Sequence, residues 1–381
     1  MIRMNRSFGP FCRVLLLLLA AALFPAGAEA HAAASSAGRA EDTAAQEIAE
    51  EEPDVKRIVL GHVGDSYEWH IATAGGREWS LPLPVIVHSP SSGWHCFSAK
   101  RLRGGAEYEG LRIAADGDHA GKIVERQADG SDLRPLDLSI TKTVAGLLLN
   151  SALVVALVLG AVRWYRGRKP DAAAPRGVVG LFETLVESLV DDLIEPCVGP
   201  SYRRFAPYLL TVFCFIFLNN LMGLIPFFPG GANVTGNIAV ALVLAVATFL
   251  VVNLSGSRHY WKDIFWPDVP TWLKVPVPII PLIELVGVFT KPFALMIRLF
   301  ANMLAGHAVI LSLTCVVFVT VKMGAAVNAS MTALSVLFSI FMNCLELLVA
   351  FLQAYVFTML SAVFIGLAQE RGGEADAGAE K

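Results

Sequence analysis

Residues 205–257 contain no Asp, Glu, Lys or Arg, and residues 323–369 contain one, Glu346. Few folds accept such a chain. A soluble protein spreads about 25% charged residues along its sequence. An apolar run of about 20 residues instead crosses about 30 Å of hydrocarbon as a helix. At 17% charged and 55% hydrophobic, this chain is neither a soluble enzyme nor a disordered polymer. A formal net charge of −3 excludes a nucleic-acid binder on electrostatic grounds. The six cysteines are scattered, with neither a disulfide framework nor CxxC metal spacing.

The N-terminus reads as an export signal. Arg3, Arg6 and Arg13 make a basic start, residues 14–23 are an apolar run too short to span, and Ala28-Glu29-Ala30 fits a small-x-small cleavage site. Residues 1–30 are therefore expected to be a signal peptide; the alternative is a first membrane anchor. Either delivers the adjoining residues outside the cytoplasm. Residues 31–55, with Glu41, Asp42, Glu50, Glu51, Glu52 and Asp54, read as a disordered acidic arm. Residues 56–142 hold short β-type stretches at 57–60, 69–72, 83–88, 110–114 and 121–125 between Gly, Ser, Asp and Pro breaks. They predict a small, mainly β exported domain. It carries His62, His70, His88, His95, Cys96 and His119. Their spacings match no metal-ligand pattern. Solvated or locally bonded imidazoles are expected, with no metal and no cofactor. Cys96 is the one exported cysteine after cleavage.

Charge sets the spans and their direction. Residues 144–162 are uncharged and long enough to cross; Arg163, Arg166, Arg168 and Lys169 come at once after them. By the positive-inside rule that end is cytoplasmic, in agreement with an exported N-terminus. The stretch 205–257 contains its own reversal at Pro226-Phe227-Phe228-Pro229-Gly230-Gly231, which cannot continue a helix. It is therefore a hairpin, with helices expected at 207–225 and 237–254. Before it, Leu181, Leu185, Leu189 and Leu193 recur every four residues, and Glu183, Glu187, Asp191 and Glu195 do so on another face. That pattern predicts an amphipathic helix over 178–194, its acidic face either solvated or turned to a basic partner.

The last two segments, 275–321 and 323–369, are too long for perpendicular spans. At 1.5 Å per residue each would be about 70 Å long as a helix, against the roughly 20 residues a span needs. Single passes return the C-terminus to the cytoplasm, where the acidic tail 370–381 belongs. The pair is then expected to form a long, strongly tilted helical hairpin. Ordinary helix tilt is modest, so a partner surface is its expected cause.

Ionisable groups inside these segments are the functional clue. They are Glu284, Lys291, Arg298, His307 and Glu346, with the amides Asn302 and Gln353. Such groups cost from about 2.5 to over 10 kcal/mol in a bilayer and mark ion paths or partner contacts. Lys291 reads as a structural pair or a snorkelling end. At about 100° per residue, Ala294, Ala301 and Ala305 fall within about 60° of Arg298, and Asn302 within about 40°. Small residues mark where another helix approaches. A guanidinium there stays charged and wants a carboxylate. Glu284 lies about 21 Å away along the axis and cannot supply it. Glu346 and Gln353 share a face, so antiparallel packing would line them up with His307 in one polar track. Glu/His chains are what proton relays use; the alternative for His307 is a bond to a backbone carbonyl.

Three motifs resemble subunit a of F-type ATP synthase. They are Lys291-Pro292 with Ile297-Arg298-Leu299-Phe300-Ala301-Asn302-Met303-Leu304-Ala305-Gly306, then Leu352-Gln353-Ala354-Tyr355-Val356-Phe357, and Asn219-Asn220-Leu221-Met222-Gly223-Leu224-Ile225-Pro226. The resemblance covers about residues 144–369 and leaves the exported domain without an implied task. It implies an all-α polytopic membrane protein with five membrane-crossing segments in a bacterial cell inner membrane. It also implies a non-catalytic proton-channel subunit, working with a c-subunit ring, peripheral-stalk b subunits, the remaining ATP synthase subunits and lipid. Arg298 matches the family's essential arginine facing the ring. Glu284 belongs near the cytoplasmic half-channel, and Asn302, His307, Glu346 and Gln353 line the outer one. Some members place Glu at the His307 position and His at the Glu346 position, and some place an acidic residue at the Gly223 position. No relay role is assigned to Gly223. Two other classes compete: a stand-alone secondary transporter, which should show internal repeats, and a membrane-tethered exported binding domain.

Overall fold

The computed structural model describes residues 65–74, 77–114, 119, 121–126, 132–166, 175, 177–225, 230–266 and 279–369. The expected signal peptide, acidic arm, strand at 57–60, His62, turn at 226–229 and tail at 370–381 lie outside them.

The N-terminal part is built on two-residue periodicity. Strand β1 (Glu68–Ala74) pairs antiparallel with β2 (Arg77–Pro82). In β3 (Pro84–Ser89) the side chains of Val85, Val87 and Ser89 are buried and those between are not, as a strand with one covered face requires. Its partners are β4 (Gly93–Ser98) and β8 (Leu136–Asp137). Strands β5 (Leu111–Ile113), β6 (Ile123–Arg126) and β7 (Asp132–Leu133) form a third antiparallel sheet. The shared core holds Tyr67, Val85, Val87, Leu102, Leu111 and Ile123. The Tyr67 hydroxyl donates to Asp137 and accepts from the Ile123 N–H at 3.3 Å. Burial, and after it the Asp137 carboxylate, push its pKa well above the ordinary tyrosine value. His88 packs edge-on against Trp94, and His95 bonds Ser92 and Glu109. Among the described residues no three His, Cys, Asp or Glu side chains converge on a common point.

Helices make up the rest. In α1 (Lys142–Tyr165) the cap is Thr141, whose hydroxyl accepts from the Val144 N–H at 3.4 Å. The amphipathic helix α2 (Val178–Leu189) ends earlier than its pattern predicts. A wide π-turn spans Val190–Ile194 and leads into α3 (Glu195–Val198). Pro196 brings no N–H to the carbonyl four residues before it, which disfavours a regular turn there. Leu189, Leu193 and Ile194 are buried, while Glu187, Asp191 and Glu195 face out. The hairpin helices are α4 (Tyr202–Gly223) and α5 (Ile238–Ser255). The first starts ahead of its apolar run, because Arg203 and Arg204 suit a helix end facing water as well as a loop. The short α6 (Arg258–Phe265) precedes α7 (Ile279–Thr320) and α8 (Ala325–Gln369).

The two long helices form an antiparallel hairpin. Thr320 bonds Asn328 at 3.0 Å, Ser335 bonds the Leu313 carbonyl, and His307 and Asn302 meet Glu346 and Gln353 further along. In α8 one residue before Glu346 is buried, Ser335, whereas burial is frequent from Glu346 to Ala368. The second half of α8 thus threads the core beside α4, and the first half stands clear. Five helical runs among the described residues are long and apolar enough to cross a membrane, and their outward side chains are apolar, for example Leu148, Leu242, Phe293 and Phe341.

Candidate functional site

The polar groups gather midway along the α7–α8 hairpin, where α4 packs against it. His307 Nδ1 lies 2.7 Å from Glu346 Oε1, and its Nε2 lies 3.3 Å from the Gly223 carbonyl oxygen. A carbonyl only accepts, so Nε2 carries a proton. The remaining proton of the pair then sits on Nδ1, facing a carboxylate, or on Oε1, facing a neutral imidazole. These two forms have the same composition and differ only in where one proton rests. Glu346 is 4% exposed. Its other oxygen, Oε2, is buried and has no hydrogen-bond partner among the described residues. A buried carboxyl oxygen left without a partner carries a desolvation penalty.

Helix α7 lets the carboxyl in through Gly306. A Cβ there would stand 2.5 Å from Glu346 Oε1 and 3.0 Å from its Cδ, so any other residue would push the carboxyl from this position. One to two turns earlier, Asn302 donates to Gln353 Oε1 at 2.8 Å. Gln353 is also 4% exposed, and its Nε2 has no partner among the described residues. His307, Glu346, Asn302 and Gln353 are thus brought together in two adjacent rungs of the hairpin.

Arg298 is not part of that cluster. Leu295, Met296, Leu299 and Met303 of α7 are buried against the bundle, at 5% exposure or less. Arg298 lies on the opposite face with Ala294, Ala301, Asn302 and Ala305, all exposed. Among the described residues it has no ion pair or hydrogen bond. Glu284 is separate too. It is exposed near the start of α7, close enough to Tyr260 of α6 that, after burial, its charge helps raise that hydroxyl's pKa. Lys291 sits over the Phe364 ring, 5.5 Å from its centroid, a cation–π contact. Along α7, Arg298 therefore separates Glu284, at the α6 end, from His307 by about 21 Å and about 14 Å respectively.

Sequence reasoning passed over a set of supporting amides. Asn150 of α1 donates to Asn219 at 2.9 Å, Asn220 to the Ala350 carbonyl at 3.2 Å, and Thr235 to Asn220 at 2.6 Å. Adjacent asparagines in an otherwise uncharged membrane run were the available signal, since a buried amide must be paired. Gly223, given no relay role, takes part through its backbone carbonyl, which no side-chain pattern discloses.

Comparison with known proteins gives independent information. The ATP synthase A chain family matches residues 148–366, and a domain family of unknown function matches residues 58–138. The chain is 45% identical over 245 residues to ATP synthase subunit a of Chlorobium phaeobacteroides, covering 63% of this chain and 68% of that protein. It is 46% identical over 241 residues to ATP synthase subunit a 2 of Chlorobaculum tepidum, covering 61% and 64%. To ATP synthase subunit a of Anaeromyxobacter dehalogenans it is 34% identical over 333 residues, covering 82% and 80%.

Proposed function

The chain belongs to the ATP synthase A chain family, and from that premise we propose which of its residues carry the proton and how. It is a proton-translocating subunit of the ATP synthase membrane sector; nucleotide chemistry belongs to other subunits. Arg298 faces a ring of c subunits, each presenting a membrane-embedded carboxyl. His307, Glu346, Asn302 and Gln353 line the half-channel open to the outside, and Glu284 serves the cytoplasmic one. The β domain stands in the periplasm of a bacterial inner membrane, with Arg163 and Arg166 at the cytoplasmic end of α1. The long α7–α8 hairpin lies tilted along the curved ring, which accounts for its excess length over a perpendicular span.

The chemistry rests on charge and burial. A proton arriving from outside enters the His307–Glu346 pair, whose two forms differ only in proton position. It passes on toward the ring carboxyl, with Asn302 and Gln353 supplying polar lining. Once neutral, that carboxyl can turn into lipid, where the ionised form would cost several kcal/mol. After nearly a full turn it reaches the Glu284 side and gives up its proton. The ionised carboxylate is then stabilised by Arg298, the opposite-charge effect on a pKa. A guanidinium cannot deprotonate at working pH. It therefore stands as a fixed positive charge that stops protons crossing directly from His307 to Glu284. Each proton moved down 100 mV releases about 2.3 kcal/mol, which drives rotation.

The observation that carries this reading is the exposed Arg298 on an alanine-lined face, without an ion pair among the described residues. An unpaired cation at membrane depth needs an anion, and nothing nearby on α7 supplies one. The test is Arg298→Ala in the whole complex. ATP-driven proton pumping in inverted vesicles should vanish while assembly persists; pumping at the wild-type rate would overturn the assignment.

A further inference from the structure

The N-terminal β domain does not hang free from the membrane part. The Lys142 N–H donates to the Ser66 carbonyl at 2.8 Å and the Thr143 N–H to Asp65 Oδ1 at 3.0 Å, which ties the domain to the first turn of α1. A second tie is more distant in sequence. The Trp69 indole of β1 is 4% exposed, and its Nε1 donates to the Gly230 carbonyl at 3.2 Å in the segment between α4 and α5. Trp69, Ala232 and Val234 form one buried apolar cluster, with Ala145 and Leu147 of α1 and Val240 of α5 packed on it. Gly146 makes this approach possible, because a Cβ there would stand 2.6 Å from Ala232 Cβ.

The same segment reaches the proton-handling residues. The Gly231 N–H donates to the Met222 carbonyl at 3.2 Å, and Thr235 Oγ1 to Asn220 Oδ1 at 2.6 Å. The Ala232 carbonyl oxygen lies 3.7 Å from where a Gly223 Cβ would be. Gly223 in turn supplies the carbonyl that His307 meets. Trp69 is therefore two contacts from the backbone that holds the imidazole. We propose that the β domain is a cap that fixes residues 230–235, and through them Gly223 and His307, with Trp69 as a positioning residue for proton access from the outer side. This assigns a task to the domain, and it rests on His307 belonging to the outer half-channel. Among the described residues, Glu346 is the ionisable group that His307 meets, and residues 230–237 carry no charge. A changed proton response on removing Trp69 would thus report geometry, not a lost charge.

The experiment uses the complete ATP synthase in vesicles, with Trp69→Ala and Trp69→Phe. Backbone hydrogen exchange of residues 230–237 should rise about tenfold or more in Trp69→Ala, since a buried hydrogen bond and its apolar cover go together. Passive proton conduction titrated from the outer side should shift its half-point by about half a pH unit or more as the His307 geometry loosens. Titration from the inner side should not shift. Trp69→Phe keeps most of the apolar fill without the N–H and should fall between; if Trp69→Ala fails to assemble, Trp69→Phe decides by the same readouts. Unchanged exchange, raised exchange with an unchanged outer profile, or equal shifts on both sides would each overturn the proposal. Arg298→Ala in the same vesicles separates the two ideas. Continued ATP-driven pumping by that variant sinks the channel reading, whereas its loss alongside wild-type behaviour of the Trp69 variants sinks the cap alone.

Discussion

Gly306→Ala probes the proton pair without touching an ionisable group. The added methyl would stand 2.5 Å from Glu346 Oε1, 3.0 Å from Cδ and 3.2 Å from Cγ. Ordinary contact begins near 3.4 Å, so the carboxyl must retreat by about 0.9 Å. Its bond to His307 Nδ1 is 2.7 Å long, and a retreat of that size stretches it to at most about 3.6 Å, beyond hydrogen-bond range. Losing a bond to a charged partner costs about 1.5–3 kcal/mol. If that bond lies on the proton path, transfer slows by about 10- to 100-fold. Helix α7 itself should tolerate the change, because alanine favours a helix over glycine by about 1 kcal/mol. The assay is the initial rate of ATP-driven acidification in inverted vesicles, normalised to assembled complex. His307→Ala supplies the floor. Gly160→Ala in α1 supplies the control, since a Cβ there meets nothing within 4 Å. A Gly306→Ala complex that assembles and pumps like Gly160→Ala would refute the reasoning.

Arg298→Lys keeps the charge in water yet should abolish pumping as Arg298→Ala does. A desolvated ammonium can shed its proton and offers a different donor geometry; pumping above a tenth of the wild-type rate would count against a fixed-charge role. Tyr67 has a folded pKa raised by burial and then by Asp137. Its contribution is present below the ordinary tyrosine pKa of about 10 and is lost as pH rises above it, because the unfolded chain ionises first. Proteolysis of the β domain in the intact protein should therefore accelerate above about pH 10, and Tyr67→Phe should flatten that rise; an identical pH dependence in both proteins would remove Tyr67 from the account.

Much of the membrane part was legible because hydrocarbon admits so few backbone solutions. Uncharged runs bounded by Arg163, by Arg203 and Arg204, and by Arg258 located helices to within a few residues. The excess length of the last two segments announced a hairpin. The stripe around Arg298 was legible from helical angle alone, because an α-helix repeats rigidly. The β domain was less so. Strand β4 was hidden in Gly93-Trp94-His95-Cys96-Phe97-Ser98, where the eye goes to ligand-type side chains, and the pairing that makes it a strand comes from β3. The break after Leu189 was likewise invisible to a pattern that kept its four-residue period.

Sequence by itself determined that this chain is built from runs long and apolar enough to cross a membrane, and that two cations, Lys291 and Arg298, and two acids, Glu284 and Glu346, lie within the last two of them. Those follow from transfer free energies, which depend on residue type and run length and need no partner to be known. Only the tertiary structure decided which polar groups meet. His307 meets Glu346 because α7 and α8 run antiparallel in one register, and Gly306 and the Gly223 carbonyl complete the site from backbone, which has no side-chain signature. The link from Trp69 to Gly230 joins residues 161 positions apart. Contacts of that separation arise from the packing of whole elements, and nothing local along the chain encodes them.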